Sequence, residues 1–135
     1  MTAPVGPPFL GELEIAMMEH LWATRSSDVE TAHRSVGRSR GITLNTIQST
    51  LQRLYRKGLL TRRKVSHAYV YSPHVSREEV MAQLVSEVVT TFSGGRPEPM
   101  LATFVDLASR AGRGTLERLE QMIERKRDER ARGDR

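Results

Sequence analysis

The chain of 135 residues contains no cysteine and few aromatic side chains. Without cysteine there can be no disulfide, thiolate metal site or cysteine nucleophile. Aromatic residues make up 5% and hydrophobic residues 38% of the sequence. This composition favours a thin domain plus a helical part that completes its core against a partner, because a single thick core needs more apolar surface. No apolar run approaches the ~20 residues that a membrane span requires.

Residues 1–9 are rich in proline and glycine, and they lack the basic and apolar regions of a signal peptide. We therefore expect a disordered N-terminal arm and a cytoplasmic protein with no membrane partner.

Acidic residues are missing from a long internal stretch. None occurs between Glu30 and Glu78, and the basic side chains there are Arg34, Arg38, Arg40, Arg53, Arg56, Lys57, Arg62, Arg63, Lys64 and Arg77. The formal net charge of +5 lies entirely in residues 1–75, since residues 76–135 contain as many acidic as basic side chains. Charge of one sign repels itself in a compact domain, and a polyanion would relieve that repulsion. The alternative is a generally basic surface.

The apolar spacing predicts a mainly α protein with a small β-hairpin. A first helix is expected at residues 10–23. A second begins at Ser27, where Ser27 and Glu30 would form a capping box. A third runs from the N-cap Thr43 to residue 57 and is followed by Gly58. Two short strands, residues 59–65 and 68–71, are joined at Ser66 and His67. This order is typical of a winged helix-turn-helix, which we assign to residues 10–75.

The second half is predicted to be a helical dimerisation region, residues 76–124, followed by a charged flexible tail, residues 125–135. Ser76 and Glu79 form a capping box, and glycines break the chain at residues 94–95 and 112–114. These helices are too short and one-sided to be stable alone, so a homodimer should bury them. The residues expected in that dimer are Val80, Leu84, Val88, Phe92, Leu101, Phe104, Val105, Leu116 and Leu119.

The third helix has the side chains of a major-groove reader. Asparagine and glutamine can contact adenine, arginine can contact guanine, and threonine can pack on the thymine methyl group. Basic residues on the hairpin would lie over phosphates or reach the minor groove. An ordinary polar helix and a solvated hairpin are the alternatives. The predicted DNA-binding residues are Arg40, Thr43, Asn45, Thr46, Gln48, Ser49, Gln52, Arg53, Arg56, Arg62, Arg63, Lys64 and His67.

Four motifs in sequence order resemble the penicillinase-repressor family (BlaI/MecI/CopY type). Residues 10–22 resemble its opening helix, residues 46–60 its recognition helix and exit, residues 67–73 its wing, and residues 92–95 its break between C-terminal helices. The resemblance extends over about residues 10–122. It implies a homodimeric repressor that has N-terminal winged helices and C-terminal dimerisation helices.

The resemblance also implies roles for individual residues. The helix at residues 44–57 would enter the major groove of a palindromic operator, and the wing at residues 59–72 would lie on the backbone. Thr46, Gln48, Ser49 and Gln52 would read bases. Arg53, Arg56 and Lys57 would contact phosphates, although Arg53 could instead pair with Glu12 or Glu14 on the first helix.

The sequence departs from the family pattern at three places. The wing tip has Ser66 and His67 where Gly-Arg is common, which weakens a fixed arginine contact. The tail has no Cys-x-Cys, which argues against the direct copper sensing of some relatives. Ser86 and Glu87 stand where β-lactam-responsive relatives are cut at an Asn-Phe pair, so regulation by that proteolysis is not expected. Any upstream sensor, inducer or operator sequence is not identified by these residues.

Other functions fit the sequence less well. His20, His33, His67 and His74 show no metal-binding spacing, and no glycine-rich phosphate loop is present, so we expect neither an enzyme nor a cofactor. A winged helix that binds proteins and a ligand-responsive transcriptional activator are the remaining alternatives. Because DNA is the expected partner, we expect the protein at the nucleoid.

Overall fold

The computed structural model describes residues 10–134. The predicted N-terminal arm, residues 1–9, lies outside the described residues. The chain forms two compact units, of which the first ends at Glu87 and the second begins at Val88. The sequence analysis placed this boundary near residue 75.

The first unit has the predicted winged-helix architecture. Its elements are α1 (Glu12–Thr24), β1 (Ser27–Asp28), α2 (Val29–Ala32), α3 (Leu44–Arg56), β2 (Leu60–Val65), β3 (Ala68–Pro73) and the first turns of α4 (Arg77–Phe92). A π-helical turn (His33–Gly37) and a 3-10 turn (Arg38–Arg40) lead from α2 towards α3. The fold class, mainly α with a small antiparallel sheet, is confirmed.

The sheet has three strands, whereas the sequence predicted a two-stranded hairpin. Its order is β1-β3-β2, and Ser27 of β1 lies opposite Tyr71 of β3. A strand of two residues is too short to show any alternation of apolar and polar side chains, which is why sequence periodicity missed it. As a result, β3 is the central strand and β2 forms an edge of the wing.

The start of α2 also differs from the prediction. Asp28, and not Ser27, is its N-cap, and the Asp28 carboxylate accepts a hydrogen bond of 2.8 Å from the Thr31 amide. Ser27 is buried in β1, where its hydroxyl donates to the Asp28 carbonyl. The capping box of Ser27 and Glu30 was therefore wrong, because strand pairing shifts the helix start by one residue.

The core of the first unit lies between the helices and the sheet. Its buried side chains are Met17, Met18, Leu21, Ala32, Val36, Ile47, Leu51, Leu54, Leu59, Leu60, Tyr71 and Val80. Val80 was predicted as a dimerisation residue, yet it is only 6% exposed in this core, and Leu84 packs against the same cluster. The first turns of α4 thus complete the winged helix, and this extends the unit beyond residue 75.

Local signals at the ends of α3 and α4 are confirmed. The Thr43 hydroxyl caps α3 by accepting from the Thr46 amide, and Gly58 after the helix has a φ of +83°. At α4, the Glu79 amide donates to the Ser76 hydroxyl over 3.0 Å, and the Ser76 amide donates back to the Glu79 carboxylate over 3.2 Å. Thr43 therefore fixes where the candidate recognition helix begins.

The second unit contains the end of α4 with α5 (Pro97–Arg110) and α6 (Thr115–Gly133). The last helix was predicted to end near residue 124, but it continues to Gly133. Ion pairs one turn apart, Glu124 with Arg127 and Lys126 with Glu129, support the added turns. Flexibility of residues 125–135 remains a prediction.

No residue of α5 or α6 is buried in the described chain. Phe92 is 75% exposed, and the other apolar side chains that are more than a third exposed include Val88, Leu101, Phe104, Val105, Leu107, Met122 and Ile123. Leu116 and Leu119 are half-buried. An apolar face of this size is uncommon on a monomeric protein.

Candidate nucleic-acid interface

The polar side of α3 faces solvent along the whole helix. Ile47, Thr50, Leu51 and Leu54 form its buried side. On the other side Asn45, Thr46, Gln48 and Ser49 are exposed, and Gln52 is half-buried. Asparagine and glutamine on an exposed helix side have free donor and acceptor atoms, which is the requirement for reading base edges.

Three threonine hydroxyls around this surface take part in the helix itself. The Thr43 hydroxyl donates to the Thr46 hydroxyl over 3.0 Å while it also caps the helix. The buried Thr50 hydroxyl donates to the Thr46 carbonyl over 2.8 Å. Thr43 was predicted to bind DNA, and its hydrogen bonds give it a structural role in the folded chain.

Several cations of the acid-free stretch have partners inside the protein. Lys57 pairs with Glu14 over 2.9 Å, and Arg77 pairs with Glu19 on α1. Both acids precede the stretch in sequence, so the one-signed charge is partly neutralised by tertiary contacts. Lys57 was expected to serve phosphates, and in the folded chain its ammonium is paired with Glu14. The pairing with Glu14 that was considered for Arg53 is made by Lys57 instead.

The Glu14 carboxylate is largely enclosed, and its side chain is 10% exposed. Burial alone would raise the pKa of Glu14. The hydrogen bond from Lys57, a hydrogen bond of 3.0 Å from the Gly11 amide, and the charges of Lys57 and Arg53 outweigh burial and lower this pKa below its ordinary value. The ion pair joins the start of α1 to the end of α3.

Arg77 lies at the start of α4, and its ion pair with Glu19 connects α4 to α1. Its guanidinium lies 4.9 Å from the Trp22 ring centroid, and its hydrogen bond lowers the pKa of Glu19. The Trp22 indole N–H donates to the Val75 carbonyl over 2.9 Å. These contacts position the first turns of α4 on the winged helix.

Arg40 makes an internal contact as well. Its guanidinium donates to the Val36 carbonyl over 2.9 Å. It also lines a surface groove with Glu12 and Glu19 of α1. Arg40 therefore shares this groove with two acidic residues, whereas the predicted DNA contacts of α3 are polar and basic.

Four further exposed cations, on α3 and β2, form the candidate phosphate contacts. Arg53 and Arg56 lie on α3 and Arg63 and Lys64 lie on β2. None of these four has an ion-pair partner among residues 10–134. They can therefore offer their full charge to a polyanion without breaking an internal ion pair.

Arg62 behaves differently from its neighbours on β2. Its guanidinium carbon lies 4.1 Å from the ring centroid of Tyr55 and 4.1 Å from that of Tyr69. The neighbouring Tyr71 hydroxyl raises the pKa of Arg62 above its ordinary value. Arg62 was predicted to bind DNA, and its contacts with two rings could not be read from the sequence because Tyr55 is on a helix and Tyr69 on another strand.

The wing tip consists of Ser66 and His67, which join the paired residues Val65 and Ala68. Both tip residues are exposed. Ser66 has a φ of +58°, a conformation that glycine adopts without strain and other residues adopt at a cost. His67 is thus held at the outermost point of the wing by a turn that serine fits imperfectly.

Two of the four histidines form hydrogen bonds within the first unit. His33 donates to the Ile42 carbonyl over 2.9 Å, and His20 lies 3.1 Å from the Ser27 hydroxyl. Among residues 10–134 no group of three or more His, Asp or Glu side chains is placed to hold a metal ion. In the same range no helix is both long and apolar enough to span a membrane.

The fold and this surface define a winged-helix protein with a solvent-facing polar helix flanked by basic residues. The sequence model of the family described as Penicillinase repressor matches residues 10–125. The chain belongs to this family, and the resemblance drawn from the four motifs is confirmed.

Two relatives found by sequence support the same assignment. The chain is 32% identical over 99 residues to the transcriptional regulator BlaI of Mycobacterium tuberculosis, covering 72% of both proteins. It is 22% identical over 99 residues to the penicillinase repressor of Bacillus licheniformis, covering 73% of this chain and 77% of that protein. The solution structure of the DNA-binding domain of the repressor BlaI covers 53% of this chain and 88% of its own, with 25% identity and a TM-score of 0.49. The family is one of transcriptional regulators.

Proposed function

We propose that the protein is a sequence-specific transcriptional repressor that binds duplex DNA as a homodimer. In this proposal α3 enters the major groove, and the wing formed by β2 and β3 lies over the backbone. The observation that carries it is the exposed row of amide and hydroxyl side chains on α3, within a chain that belongs to a family of transcriptional regulators.

The base-reading role is assigned to Asn45, Thr46, Gln48, Ser49 and Gln52. Their side chains share the solvent side of one helix, and a major groove about 12 Å wide accepts a helix presented in this way. Arg53 and Arg56 follow on the same helix and are suited to the flanking phosphates. Phosphate contacts orient the helix, and base contacts then select the sequence.

The backbone contacts of the wing are assigned to Arg63, Lys64 and His67. All three side chains are exposed. The two cations supply attraction that does not depend on sequence, whereas His67 offers a ring N–H that can donate a hydrogen bond.

The homodimer is supported by the apolar surface of the second unit. Side chains such as Phe92, Leu101 and Phe104 are too exposed to stabilise their own chain, and a second copy would bury them. A two-fold dimer would place the two copies of α3 in successive major grooves, about 34 Å apart, on a palindromic site. Val80 and Leu84 contribute to the winged-helix core, so the dimer contacts are assigned from Val88 onwards.

Selection of bound duplexes from a random pool is the decisive experiment. We expect enrichment of an inverted repeat whose half-sites are separated by about one helical turn. Binding to the enriched duplex should weaken by roughly 10³–10⁵ between about 50 and 200 mM salt if ~6–10 phosphates are contacted. A pool that remains random, together with salt-insensitive binding, would reject the proposal and favour a winged helix that binds proteins.

Repression is tested separately from binding. Placing the selected inverted repeat over a reporter promoter should lower transcription when the protein is present. An increase in transcription from the same arrangement would identify an activator.

A further inference from the structure

The contact of Arg62 with two tyrosines joins the wing to the candidate recognition helix. Tyr55 belongs to the last turn of α3, Arg62 to β2 and Tyr69 to β3. The guanidinium lies 4.1 Å from each ring centroid, well within the ~6 Å range of a cation–π contact. We call these three residues the tyrosine–arginine stack.

Strand register explains how the stack forms. Arg62 lies opposite Tyr71, and Lys64 lies opposite Tyr69, so all four side chains occur on one side of the hairpin. The buried Tyr71 directs this side towards the core. Arg63 is opposite Val70 on the other side of the hairpin, because side chains alternate along a strand.

The stack lies next to the base-reading residues of α3. Tyr55 follows Gln52 by three positions and Gln48 by seven, which places the three residues on one side of the helix. A change in the contact between Tyr55 and Arg62 would therefore alter where the wing stands relative to Gln48 and Gln52.

Burial argues against a phosphate contact by Arg62. Arg62 is half-buried, whereas Arg63 and Lys64 are exposed. Tyr55 and Tyr69 are 38% and 37% exposed, so the stack lies at the protein surface. Both rings lie within cation–π range of the guanidinium, so a phosphate would have to compete with these contacts.

We propose that Arg62 is a positioning residue that sets the angle between the wing and α3, and that it does not bind a phosphate. The proposal rests on the DNA-binding function proposed above. It distinguishes two adjacent arginines, of which Arg62 orients the wing and Arg63 neutralises backbone charge.

The first test compares Arg62→Gln with Arg63→Gln in the full-length protein. Affinity for the selected duplex is measured at several salt concentrations. Arg63→Gln should reduce the slope of log affinity against log salt by about 0.9 for each subunit. Arg62→Gln should lower affinity about three- to thirtyfold, the range that cation–π contacts span, and leave the slope unchanged.

The second test is a double-mutant cycle between Arg62→Gln and Tyr55→Leu. If both act through one stack, the double variant should lose little more affinity than either single variant. Tyr55→Leu combined with Arg63→Gln is the matched control, and these two losses should multiply. The positioning role would be overturned if the affinity losses of Arg62→Gln and Tyr55→Leu multiplied in the double variant. It would also be overturned if Arg62→Gln reduced the slope of log affinity against log salt.

A readout without DNA separates this proposal from the proposed function. In the free protein, Arg62→Gln should speed amide hydrogen exchange in β2 and β3 and leave α1 unchanged. Arg63→Gln should alter neither region. Unchanged exchange in the wing of the Arg62→Gln variant would reject the stack as a positioning device even if the wild type binds DNA. If the wild type failed to bind duplex DNA, the proposed function would be rejected, but the role of the stack in holding the wing would not.

Discussion

Replacing Glu14 by glutamine tests the link between α1 and α3. The Glu14 carboxylate accepts from the Gly11 amide and from the Lys57 ammonium, and the residue as a whole is 7% exposed. Glutamine keeps the size and the acceptor for Gly11 but removes the charge. The substitution therefore isolates the ion pair with Lys57 from helix capping.

The expected loss is about 1–2 kcal/mol of unfolding free energy at neutral pH. A hydrogen bond to a charged group contributes about 1.5–3 kcal/mol, whereas an exposed ion pair contributes about 0–1 kcal/mol. Glu14 is enclosed, but the Lys57 side chain is 38% exposed and is screened by solvent. The value should therefore fall between these two ranges.

The loss should depend on pH in one direction. Because the pKa of Glu14 is lowered in the folded state, its ionised form stabilises the protein above the unfolded-state value of about 4.5. As pH falls through the lower folded-state pKa, the carboxylate is protonated and that stabilisation disappears. The gap between wild type and Glu14→Gln should thus be constant near neutral pH and close in acid.

Chemical denaturation at one fixed protein concentration, repeated from about pH 7 down to about pH 3, measures this gap. A fixed concentration is needed because dimer formation would itself change the apparent stability. Glu12→Gln is the matched control, since Glu12 is exposed on the same helix and has no ion pair in the described chain. A Glu14→Gln loss that stays the same at both ends of the pH range would refute the ion-pair explanation.

Three further predictions concern DNA reading, dimerisation and the wing tip. Gln48→Ala should change the preferred base sequence, whereas Arg63→Ala should weaken cognate and random duplexes alike; equal losses on both duplexes for Gln48→Ala would contradict its role. Phe104→Glu should convert the dimer into a monomer, as measured by sedimentation. A wild type that is already monomeric would reject the proposed homodimer. Ser66→Gly should raise the unfolding free energy by about 0.5–1 kcal/mol, because Ser66 has a positive φ that glycine adopts without strain. A variant that unfolds at a lower temperature than the wild type would show that Ser66 is not strained.

The winged-helix fold was predictable because its signals are local. The spacing of Ile47, Leu51 and Leu54 gave the buried side of α3, and Thr43 and Gly58 gave its ends. The strand β1 was not predictable in this way, because it has only two residues. It exists because β3 offers a free edge opposite Ser27, and an edge is a property of the folded sheet.

The charge pattern was only partly informative about the candidate site. The sequence correctly separated the polar side of α3 from its buried side. It named Arg53 alone as a possible internal ion-pair partner, whereas Lys57 and Arg77 meet acids that lie more than forty residues away along the chain. Pairing of that kind depends on how α1 packs on α3 and α4.

The amino-acid sequence by itself determined the family, the order of α1 to α3 with β2 and β3, and which residues of α3 face solvent. These depend on periodicity, capping and motifs, which act over a few residues. Only the tertiary structure decided which cations are free to meet a polyanion and which hold the fold together. It placed Lys57 on Glu14, Arg77 on Glu19 and Arg62 against two tyrosine rings, because such contacts depend on distance in space and not on separation along the chain.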